Sequence, residues 1–150
     1  MHPEIPHNLL AIVTATITSF AFAWLWYGPI FGKIWTKWMS LKGKMKPKTM
    51  IISMALGILG TFLTAHVMYY MTNIWRSSLW GVGGDLEWYM YGFFSGFYTW
   101  LGFYLPMGLS SVAWEGRSWK LFGLNMAYAF INLQIIAMIL AHMYSAGPQS

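Results

Sequence analysis

Four long stretches without a single Lys, Arg, Asp or Glu, at about 8–27, 49–73, 88–112 and 122–145, constrain this chain more than any other feature. Each is close to the roughly 20 residues that an α-helix needs to cross a hydrocarbon core. They are far too long for barrel strands, and in lipid an open chain must satisfy its backbone groups internally, so helices are expected. Apart from Glu4, the charged residues are confined to the short segments between these stretches. Only 9% of the 150 residues are charged, against roughly 25% in soluble domains, which leaves too little polar surface for water.

The connecting segments set a direction. Lys33, Lys37, Lys42, Lys44, Lys46 and Lys48 lie between the first two spans, Arg117 and Lys120 between the last two, and Arg76 alone on the opposite face. By the positive-inside rule the loops 28–48 and 113–121 are cytoplasmic and both termini non-cytoplasmic. The expected architecture is an all-α integral membrane four-helix bundle, multi-pass, in a bacterial cytoplasmic (inner) membrane. A membrane reading also accounts for the formal charge of +5 without a nucleic-acid partner, because six of the nine basic residues sit in one loop. The segment 1–7 has no Lys or Arg and carries Glu4, the reverse of a cleavable export signal, so Ala21-Phe22-Ala23 is read as part of the first span.

Aromatic residues gather at both sets of ends. Trp24, Trp26, Tyr27, Trp35, Trp38, Trp114 and Trp119 mark the inner one, and Tyr69, Tyr70, Trp75, Trp80, Trp88, Tyr89 and Tyr144 the outer. These are interfacial belts. Within the spans, small residues recur at helical spacing: Ala11, Ala15, Ser19 and Ala23; Ser53, Gly57, Thr61 and Ala65; Gly92 and Gly96; Ala137, Ala141 and Ser145. Membrane helices meet through such stripes, within one bundle or against another subunit. Pro106, between Gly102 and Gly108, predicts a kink in the third span.

The inner ends of the first and third spans read Trp26-Tyr27-Gly28-Pro29-Ile30-Phe31-Gly32-Lys33-Ile34-Trp35 and Trp114-Glu115-Gly116-Arg117-Ser118-Trp119-Lys120-Leu121-Phe122. In this order and spacing the chain resembles the small bacterial membrane family catalogued as domain of unknown function 1761. The resemblance implies a four-span membrane fold over nearly the whole chain and brings no activity with it. The segments also resemble each other: Gly32-Lys33-Ile34-Trp35 parallels Gly116-Arg117-Ser118-Trp119, and Ala65-His66-Val67-Met68-Tyr69 parallels Ala141-His142-Met143-Tyr144. A two-plus-two parallel repeat about an axis along the membrane normal would produce both pairings, as would chance in a chain rich in Gly, Trp, Met and Tyr.

Catalytic groups are sparse. There is no cysteine, which excludes disulfides, thiolate metal sites and cysteine nucleophiles. Glu115 is the one acid on the cytoplasmic side, so paired-carboxylate chemistry has no basis there; it is expected to pair with Arg117, Lys120 or Lys33 at the interface. Lys42, Lys44, Lys46 and Lys48 form a tract that would anchor topology or attract anionic lipid. Asn125, Tyr128 and Asn132 share a helix face, as interhelical glue or as the lining of a polar path. His66 and His142 are the only ionisable side chains in the spans apart from tyrosines. With Met68, Met71, Met138 and Met143 near the same level, they are candidates for copper or haem, against the plain reading that each bonds a neighbouring helix or the headgroups.

The expected function is a non-enzymatic structural or accessory subunit of a larger membrane assembly, respiratory or photosynthetic among the options, with lipid and protein subunits as partners and no cofactor. The alternatives are a small oligomeric transporter or channel, and a histidine-ligated metal or tetrapyrrole protein.

Overall fold

The computed structural model describes residues 5–39 and 47–145, and among these the regular structure is entirely helical. Helix α1, Leu9–Leu25, starts where the Asn8 side chain accepts the Ala11 N–H at 3.0 Å, a side-chain cap on the first turn. It runs into a π turn, Trp26–Ile30, closed by the Phe31 N–H on the Trp26 carbonyl at 2.9 Å. Pro29 lies in that turn and has no N–H to give, so the wider i→i+5 bonding absorbs the defect. Chain direction then changes at Gly32. A Cβ there would stand 2.6 Å from the Tyr27 carbonyl oxygen, so the approach of backbone to backbone requires glycine.

Helix α2, Gly32–Trp38, follows. The segment expected as the 28–48 loop therefore contains a helical turn and a short helix, as the run Lys33-Ile34-Trp35-Thr36-Lys37 holds no Gly or Pro to break one.

Helix α3, Pro47–Asn73, and helix α6, Trp119–Ser145, are each 27 residues long. Between them run a short 3₁₀ turn, Ser77–Trp80, helix α4, Trp88–Thr99, a second π turn, Trp100–Tyr104, and helix α5, Leu105–Ala113. Pro106 sits in the first turn of α5, and the irregularity expected there takes the form of the π turn immediately upstream. Gly116, at φ 66°, reverses the chain into α6.

Helix α6 is the centre of the packing and touches α1, α3, α4 and α5. Ala11, Ile12, Ala15, Ala65, Met68, Tyr69, Leu133, Ile136, Ala137 and Leu140 form the buried core. The small-residue stripes of α1, α4 and α6 sit in these contacts: Ala11, Ala15, Ser19, Gly92, Gly96, Ala137 and Ala141 are all buried. A Cβ on Gly92 would come within 3.1 Å of the Met138 Cα, and one on Gly96 within 2.8 Å of the Gln134 side chain. The stripe on α3 is different. Ala65 is in the core and Thr61 half-buried, but Ser53 and Gly57 are exposed, as is every residue from 47 to 60. The reason lies across the gap, where α1 presents Phe20, 3.8 Å from where a Gly57 Cβ would be. Close approach needs small residues on both helices, and a phenyl ring on one holds them apart.

Among the described residues, three helical stretches, Leu9–Ile30, Pro47–Asn73 and Trp119–Tyr144, are long and apolar enough to cross a membrane. The α4–α5 rod also lacks Asp, Glu, Lys and Arg, but its Tyr, Trp and Gly content lowers its hydropathy.

Candidate functional site

Where α3, α4 and α6 converge, a charged side chain is buried. Arg76, 3% exposed, donates from Nε to Asn73 Oδ1 at 3.0 Å and from Nη2 to the Ala141 carbonyl at 2.9 Å. Its guanidinium lies over the rings of Tyr91, at 4.8 Å, and Tyr144, at 4.4 Å, and its Nη1 is 3.7 Å from Asp85. A buried cation is tolerated only when paired and hydrogen-bonded, and aromatic faces add attraction. Arg76 thus pins the 74–87 connection to α6 and shields the ends of three helices. Partial burial works against the charged form of Asp85. The Ser78 N–H at 2.9 Å, the Ser78 hydroxyl at 2.8 Å and the Arg76 charge outweigh it and hold the carboxyl below the usual carboxylate range.

Beside this node, a groove of about 550 Å³ separates α3 from α4. Its walls carry Met71, Trp75, Phe94, Tyr98 and Phe103, and its polar spot is the Thr72 and Ser95 hydroxyl pair, 2.8 Å apart. The volume is that of a small-molecule pocket and the lining is apolar. Among the described residues no charged side chain lines it, so it offers apolar burial and the hydroxyl groups of Thr72, Ser95, Thr99, Tyr91 and Tyr98.

The two histidines read as copper or haem candidates, His66 and His142, sit in different surroundings. His66 lies among His7 at 5.6 Å, Tyr70 at 5.6 Å and Phe62 at 6.1 Å between ring centroids, whereas His142 lies edge-on to Trp88 at 4.8 Å. His66 of α3 thus meets a residue just before α1, and His142 of α6 the first residue of α4. No group of three or more His, Asp or Glu side chains among the described residues is placed to hold a metal ion.

On the Asn125–Tyr128–Asn132 face, the Tyr27 hydroxyl donates to Asn125 Oδ1 at 3.0 Å and the Ser19 hydroxyl to Asn132 Oδ1 at 2.8 Å. Tyr128 stacks on Phe22 and packs against Trp26 and Tyr27. These groups join α6 to α1. At the lysine-bearing end, Arg117 Nε donates to Glu115 at 2.8 Å, an exposed pair worth about 0–1 kcal/mol. Lys48 is exposed in the first turn of α3, while Lys42, Lys44 and Lys46 lie outside the described residues.

Sequence reasoning used Arg76 only as a charge to be counted and passed over Asp85, Thr72, Ser95 and His7. A signal for the first two was present: one Arg and one Asp in the same short connection, with the Arg a turn beyond an apolar helix and unable to reach water freely.

No curated protein and no solved structure matches the chain. Residues 10–141 match the family described as "Protein of unknown function (DUF1761)". With that match spanning most of its length, including both glycine-turn segments at the ends of the first and third rods, the chain belongs to this family.

Proposed function

We propose that the chain is a four-span, non-enzymatic accessory subunit of a larger membrane assembly, with its lysine-bearing end cytoplasmic and its Arg76 end, including both termini, on the other face. Packing supports the fourth span. The α4–α5 rod lies along α6 from the Gly92–Met138 contact to the Gly108–Met126 contact, sixteen residues or roughly 24 Å at 1.5 Å per residue. A rod held so closely to an apolar span shares its depth.

The observation that carries the subunit reading is the uncovered half of α3. Residues 47–60 are all exposed, and the face they leave open includes Ser53 and Gly60, with Gly57 at its border against the edge of the Phe20 ring. Small residues add little in lipid, but they permit a second helix to approach closely. A transport path along the asparagine face has less support, because Asn125 and Asn132 are engaged by Tyr27 and Ser19 and aromatic rings fill the space between. Migration on native gels of mild-detergent extracts from the chain's own membranes tests the reading. It predicts a species larger than the single chain carrying other polypeptides, and a strictly monomeric band across detergents overturns it.

A further inference from the structure

Residues 5–8 pack back against the helices. The Tyr69 hydroxyl donates to the Pro6 carbonyl at 2.6 Å, and Ile5 packs against the core. This places His7 beside two residues of α3, His66 and Tyr70. The three rings form a compact triangle with centroid separations of 5.6, 5.6 and 6.4 Å. His7 Nδ1 is 2.9 Å from the Tyr70 hydroxyl, and His66 Nδ1 is buried with no hydrogen-bond partner. A buried imidazole nitrogen left unmatched beside a second imidazole calls for a ligand.

We propose that His7 and His66 form a binding site for a divalent transition-metal ion of the zinc or copper class, with Tyr70 as the positioning residue for His7. The spacing fits. With metal–nitrogen bonds of about 2.0–2.1 Å, two imidazoles on one tetrahedral ion have ring centroids about 5–5.5 Å apart, and these two are at 5.6 Å. The contact with Tyr70 selects the chemistry at the other nitrogen. When His7 Nδ1–H donates to the phenol oxygen, Nε2 presents its lone pair to the ion, the arrangement by which an outer partner orients a metal-bound histidine. Imidazole nitrogens suit zinc and copper, whereas calcium and magnesium require carboxylate and carbonyl oxygens that this triangle does not offer. Water completes the coordination on the side of His7, which is exposed, and the ion reaches the half-buried His66 from there. His142, against Trp88, takes no part.

The test uses the full chain in lipid nanodiscs, stripped with a chelator and carrying His2→Ala, so that an amino-terminal histidine contributes nothing. Zn2+ titration by calorimetry is expected to saturate at one ion per chain. His7→Ala and His66→Gln each weaken binding by about tenfold or more, Tyr70→Phe weakens it by less, and His142→Ala leaves it unchanged. Cu2+ in the same site shows electron paramagnetic resonance couplings to two imidazole nitrogens, reduced to one by His7→Ala. That variant changes an exposed side chain outside the helices, so loss of binding in it is not loss of the fold. The absence of saturable Zn2+ binding, or binding that survives His7→Ala and His66→Gln together, overturns the proposal.

Discussion

Gly92 and Gly57 are both helical glycines, and the structure assigns opposite signs to the same substitution at the two. Gly92→Ala places a Cβ 2.9 Å from Met138 Sδ, 3.1 Å from Met138 Cα and 3.2 Å from the Ala137 carbonyl oxygen. The thioether can swing aside, but the Cα and carbonyl belong to the backbone of α6 and yield only if the helices separate. Overpacking of this kind costs about 1–3 kcal/mol. Replacing glycine by alanine inside a helix returns up to about 1 kcal/mol, so the net change is a loss of roughly 1 kcal/mol. At Gly57 the nearest atom is a Phe20 ring carbon at 3.8 Å, an ordinary contact, and only the gain applies. The two variants should therefore differ by about 2 kcal/mol. Unfolding of the isolated chain in mixed micelles by increasing SDS, followed by tryptophan fluorescence, measures this. Gly96→Ala should fall between them, since the atoms it meets belong to the movable end of Gln134. Equal shifts at Gly92 and Gly57 would refute the account of which stripe packs.

Three other outcomes are expected. The chain has no cysteine, so single cysteines report topology cleanly: in intact cells one at Gly83 should react with a membrane-impermeant thiol reagent and one at Gly116 should not, and the reverse pattern inverts the orientation. Asn132→Leu leaves the buried Ser19 hydroxyl without its acceptor and should cost about 1 kcal/mol in the same SDS titration, with no change meaning that the bond is not formed in the membrane. Because the Asp85 carboxyl is held below its unfolded value, its contribution is complete above that value and is lost as the pH falls through the folded one. Stability should drop in the acid range below about pH 4, and Asp85→Asn should flatten that drop; an identical acid profile in the variant would show that the Arg76 node does not depend on the charge.

What the sequence revealed follows from which interactions are periodic. The long helices were legible because apolar runs and lysine-rich breaks record the bilayer directly, and Gly92, Gly96, Ala11, Ala15 and Ser19 because close packing leaves small residues at four-residue steps. The same pattern misled at Ser53 and Gly57, since periodicity on one helix says nothing of Phe20 on its neighbour. His66 was singled out for its chemistry, yet its companion was His7 rather than His142, because the fold-back of residues 5–8 onto α3 depends on the Tyr69–Pro6 bond and leaves no periodic trace. Arg76 was missed for a related reason: its partners come from α3, α4, α6 and the connection between α3 and α4, and only the folded chain brings them together.

The subunit reading rests on the uncovered half of α3, and photo-crosslinking from that face tests it most directly. A photoreactive residue in place of Leu56, which shares a helix face with Ser53, Gly57 and Gly60, is compared with one in place of Leu10 on the exposed side of α1. In the membranes where the chain is naturally made, Leu56 should give a discrete protein adduct and Leu10 only lipid adducts. Lipid adducts alone at Leu56, with the chain at its native abundance, would contradict the account.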